Sequence, residues 1–134
     1  GDPFVEKIAG RLAPQKPARQ RINGRAVLAA ARGNDELAIA EFQATLEAIT
    51  PFVAPDDFRI GRTLFSMARA ELRLARGRAD GSRDDARLAA AEQRARKALD
   101  ILRLRKGEAA RSTRAARELV DEITQARVSG GAGR

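Results

Sequence analysis

Apolar residues fall at helical spacing along nearly the whole chain, and the breaks between runs fall at proline, glycine and aspartate. Two stretches echo each other. Arg25-Ala-Val-Leu-Ala-Ala-Ala-Arg-Gly33 and Arg69-Ala-Glu-Leu-Arg-Leu-Ala-Arg-Gly77 both read R-A-x-L-x-x-A-R-G. A second periodic run follows each glycine, Ala38, Phe42, Thr45 and Leu46 after the first and Ala91, Ala95, Ala98 and Leu99 after the second. The repeated unit is therefore helix, glycine, helix. The remainder of the chain extends, joins or caps two such units.

In chain order, Asp2-Pro3 resembles an N-cap with proline at the first helical position. Phe4, Val5, Ile8, Ala9 and Leu12 then share one face of a short helix that ends before Pro14. A helix is expected from Ala18 to Arg32, with Ile22, Ala26 and Ala29 on one stripe and Gly24 either weakening it or marking a close crossing. Gly33 suits the left-handed position after a helix, Asn34 or Asp35 caps the next helix, and Pro51 ends that helix near Thr50. Phe52 to Asp57 is a connector whose apolar residues are expected to tuck back, and Asp56 or Asp57 caps a helix over Phe58–Arg76. Ile60, Leu64, Met67, Ala68, Leu72, Leu74 and Ala75 form its broad apolar arc, and Arg62, Arg69, Arg73 and Arg76 form a narrow stripe opposite. Glu71 lies inside the apolar arc, so it must meet an arginine of another helix or face a groove. Asp80-Gly81 signals a turn, and Ser82 with Asp85 suits a capping box for a helix over Asp85–Leu104. A last helix is expected over Glu108–Arg127, with Ala109, Ser112, Ala116, Leu119, Val120 and Ile123 inward and a charged outer face. The expected organisation is residues 1–17 as a short helix and proline-containing linker, 18–128 as the helical domain, and 129–134 as a disordered tail.

Composition narrows the chemistry. Cysteine and histidine are both absent, which removes thiolate zinc sites, cysteine nucleophiles and the usual general base near neutrality. Asp56-Asp57 and Asp84-Asp85 suit helix caps and Asp121-Glu122 a solvent face, and no glycine-rich phosphate loop occurs. No enzyme, cofactor or metal function is expected. The lack of cysteine suits a reducing, cytoplasmic setting, and no apolar run approaches the roughly 20 residues of a membrane span. The chain begins without methionine at Gly-Asp-Pro-Phe, so a piece of a longer protein is expected. The net charge is +8, and nearly all of it is arginine, since Lys7, Lys16, Lys97 and Lys106 are the only lysines. That charge can attract an acidic protein surface or nucleic acid, or it can simply solvate helix faces.

The small residues Ala26 and Ala70, the glycines Gly33 and Gly77, the two second-helix runs and the closing Pro51 together resemble tetratricopeptide repeats over Ala18–Leu104. The resemblance implies an all-α fold, a short antiparallel array of about two helical hairpins in a right-handed solenoid, with an N-terminal helix and a C-terminal capping helix. It also implies a non-catalytic scaffold or adaptor domain of a larger, bacterial regulatory protein. A peptide or partner helix, preferably acidic, would meet Arg62, Arg69, Glu71, Arg73 and Arg76. Nucleic-acid binding is the weaker alternative, because the chain has no Trp or Tyr for base stacking and its five Phe suit a core. Homodimerisation through Phe4, Phe52 and Phe58 is another alternative.

Overall fold

The computed structural model describes residues 18–77 and 84–132, with side chains placed over 24–77 and 84–129. Among the described residues the fold is entirely helical: α1 Ala18–Ala31, α2 Asp35–Ile49, a 3-10 turn Thr50–Phe52, α3 Phe58–Arg76, α4 Asp85–Lys106 and α5 Arg111–Ala132. The expected helix before Pro14, the Asp80-Gly81 turn and Ser82 lie outside the described residues.

The junctions follow from local chemistry. At the end of α1 the Gly33 N–H donates to the Ala30 carbonyl and the Asn34 N–H donates to the Ala29 carbonyl, at 3.0 and 2.9 Å. This closure puts Gly33 at φ +78°, a conformation that a side chain disfavours. Asn34 then accepts from the Leu37 N–H at 3.2 Å and starts α2. Asp57 starts α3 by accepting from the Arg59 N–H, and Asp84 starts α4 by accepting from the Arg87 N–H. Asp84 is thus the N-cap of α4. Gly77 differs from its sequence echo: its φ is −85°, outside the left-handed region, so the two glycines terminate their helices by different geometries.

Consecutive helices pack on one another, α1 on α2, α2 on α3, α3 most extensively on α4, and α4 on α5, with a small contact between α3 and α5. Three apolar clusters result. Ala26, Ala29, Ala38, Phe42, Met67 and Ala70 join α1, α2 and α3. Ile49, Ile60, Leu64, Ala98 and Ile101 join α2, α3 and α4. Ala68, Leu72, Ala75, Leu88, Ala91, Ala95, Leu119, Val120 and Ile123 join α3, α4 and α5. Only α3 contributes to all three, so it is the central helix of the described fold. It passes close to α4 at Gly61, where a β-carbon would stand 2.8 Å from Ile101 Cγ2. Gly24 marks no such crossing with the described residues, since a β-carbon there would meet none of them within 4 Å.

Three expectations are corrected. Phe52 does not tuck back but is 79% exposed, because the 3-10 turn carries it outward while Val53 packs on the core instead. The last helix starts at Arg111, leaving Ala109 exposed before it, and Thr113 takes an inner position. At its other end α5 continues to Ala132, through the first residues of the expected tail, because a helix already formed extends at one hydrogen bond per added residue.

Candidate interaction surface on the third helix

Because α3 is packed by α2 and α4 and touched by α5, it shows solvent only a narrow strip. The strip carries Arg62, Arg69, Arg73 and Arg76, all exposed, as the sequence pattern predicts. Their surroundings are not equal. Arg73 donates from Nε and Nη2 to Asp35 Oδ1 at 3.1 and 2.9 Å, tying α3 to the first turn of α2. Arg76 reaches Glu122 Oε1 at 3.2 Å, tying α3 to α5. Arg62 and Arg69 form no ion pair with the described residues. Each lies instead over the phenylalanine four positions before it, Arg62 at 5.7 Å from the Phe58 ring centre and Arg69 at 5.2 Å from that of Phe65. Lys106 of α4 also sits over Phe58, at 4.3 Å. Such contacts hold a cation in place without neutralising it.

Glu71 is not part of this surface. Nine residues from Arg62, it lies on the opposite side of the helix, 3% exposed against α4. Its Oε2 accepts from Arg94 Nη1 at 2.6 Å, and its Oε1 is buried without a partner. Burial holds its carboxyl above the usual carboxylate range, opposed by Arg94 and more weakly by Arg87. The arginine of another helix that the sequence called for is therefore Arg94. No protein-family model, curated protein or solved structure matches the chain.

Several other acidic groups are engaged structurally. Asp57 accepts from the Arg59 side chain and backbone, which lowers its pKa to about 2. Asp56 pairs with Arg105, and Glu92 with Arg96 and Arg127. No group of three or more metal-ligating side chains occurs among the described residues, and no described helix is long and apolar enough to cross a membrane. The five phenylalanines suit a core, and Phe65 does pack on it, but its ring and that of Phe58 also carry cations. The signal of this stacking is present in the sequence, as Phe58-x-x-x-Arg62 followed by Phe65-x-x-x-Arg69.

Proposed function

We propose that the chain is a non-catalytic protein-interaction module, a tetratricopeptide-like array of helical hairpins whose α3 strip receives an acidic segment of another protein. The observation that carries this reading is the pair of exposed, carboxylate-free guanidiniums on the central helix, Arg62 and Arg69. Five arginines and a single glutamate lie on α3, and that glutamate is buried on the far side, so nothing acidic on the helix itself offsets the strip. Guanidinium groups in fixed orientation favour carboxylates through paired, charge-assisted hydrogen bonds. A cytoplasmic setting fits a chain without cysteine.

Affinity capture from source-cell lysate tests this reading, with washes at low and high salt and with and without nuclease. Specific proteins retained after nuclease support it, and their loss on charge reversal at Arg69 ties them to the strip. Capture abolished by nuclease would favour nucleic acid, with the steep salt dependence of phosphate contacts. Empty eluates with a concentration-dependent mass would favour self-association, for which Val27, Leu28 and Leu37 on α1 and α2 supply exposed apolar surface.

A further inference from the structure

Phe58-x-x-x-Arg62 and Phe65-x-x-x-Arg69 are two copies of one device, seven residues apart on α3. In each, a phenylalanine face covers one side of a guanidinium, and the N–H edge has no acceptor among the described residues. An arginine free in solvent loses rotamer freedom when it binds a carboxylate. Stacking on the ring removes part of that freedom beforehand. Arg73 and Arg76 differ, because an incoming carboxylate would have to displace Asp35 or Glu122.

Spacing identifies the kind of partner. Seven residues at 1.5 Å each separate the two devices by about 10.5 Å along the helix axis, on nearly the same face. On an extended partner, side chains of one face recur every two residues, at about 6.6 and 13 Å, and neither distance matches. On a helical partner, positions seven apart recur at the same interval of about 10.5 Å on one face. We propose that Arg62 and Arg69 form a paired recognition site for a helix of a partner protein that bears carboxylates seven residues apart, lying alongside α3. The proposal rests on the interaction-module reading and specifies its partner. Lys106, over Phe58, adds positive charge at one end of the site. A nucleic acid fits less well, because base stacking needs free aromatic faces and both rings of the strip already carry cations.

The test uses the whole chain and two labelled, stapled, alanine-rich helical peptides of equal charge. One carries glutamates seven residues apart and the other carries them five apart, on different faces. Fluorescence anisotropy at low ionic strength should show at least tenfold tighter binding of the first peptide. Arg62→Ala and Arg69→Ala should each remove most of that preference, whereas Arg73→Ala should change it less than about twofold. Arg62→Lys and Arg69→Lys keep the charge but lose the planar fork, and they should also weaken binding. Equal binding of both peptides, no binding of the first, or full affinity in the lysine variants would overturn the proposal. So would a single-stranded oligonucleotide that binds more tightly than the peptide and is lost in the same two alanine variants. Proteins still captured from lysate by an Arg62→Ala, Arg69→Ala chain would leave the module reading standing while the paired site falls.

Discussion

Gly61→Ala places one methyl group where α3 meets α4, and its cost can be worked from the contacts. The new β-carbon would stand 2.8 Å from Ile101 Cγ2, 3.2 Å from Ile101 Cβ and 3.4 Å from Leu102 Cγ. Carbon atoms rest best at about 3.5–4.0 Å, so Ile101 or the helix axis must move by most of an ångström. Ile101 yields poorly, since its Cβ is fixed to the backbone and a β-branched residue in a helix keeps one χ1 well. Overpacking of this kind costs about 1–3 kcal/mol, while alanine in place of glycine within a helix returns about 1 kcal/mol. The net expectation is a destabilisation of up to about 2 kcal/mol. Gly24→Ala is the matched control, with the same propensity gain inside α1 and none of the described residues within 4 Å of the new atom. It should stabilise by up to about 1 kcal/mol, so the two variants should differ by about 1–3 kcal/mol. Urea denaturation followed by circular dichroism at helical wavelengths reads both, and Gly61→Ala should cost less in an Ile101→Ala background than in the unaltered chain, because the clashing methyl groups are gone. If Gly61→Ala is as stable as Gly24→Ala, the close α3–α4 packing at the centre of the fold is wrong.

Five further outcomes follow. Arg94→Ala leaves Glu71 buried and unpaired, and should cost about 2–4 kcal/mol at neutral pH; the loss should shrink as pH falls, because a protonated Glu71 needs no cation. In the unaltered chain Glu71 binds its proton more tightly folded than unfolded, so its contribution to stability falls as pH rises from 4.5 through its raised folded range. Glu71→Gln should flatten that part of a stability-against-pH curve. Thr113→Val replaces a fully buried hydroxyl that has no partner, and should stabilise by about 1 kcal/mol in the same denaturation assay. Gly33→Ala should cost about 1 kcal/mol or more through its positive φ, and Gly77→Ala less, despite the shared sequence context. The Asp57 carboxyl should titrate at about 2 by carbon-detected NMR and move toward 3.8 in Arg59→Ala.

Helix positions were legible where the chain carries its own punctuation. Asn34, Pro51 and Asp57 bound α2 and α3 within a residue of the expected limits, because caps and proline act locally. The inner faces of α3 and α4 were legible for the same kind of reason: Leu64, Met67, Leu72, Leu88, Ala95 and Leu102 recur at helical spacing, and they are buried. What depends on the facing helix was not legible. Gly61 gives no sign within its own segment that Ile101 lies opposite, and Arg94 is one arginine among many that could have met Glu71. The repeat in the sequence also promised more symmetry than the backbone has, since Gly33 and Gly77 share a motif but not a conformation. On the candidate surface the arginine stripe was legible from the wheel. Its division into Arg62 and Arg69, stacked and free of carboxylates, and Arg73 and Arg76, paired to α2 and α5, was set by neighbours distant in sequence.

The most direct measurement of the α3 surface is an NMR titration that follows the arginine side-chain Nε–H signals as the peptide with glutamates seven apart is added to the full chain. The signals of Arg62 and Arg69 should shift first and furthest, with those of Arg73 and Arg76 nearly still, held by Asp35 and Glu122. Shifts spread evenly over all the arginines, or confined to α1, α4 or α5, would contradict the role assigned to the central helix.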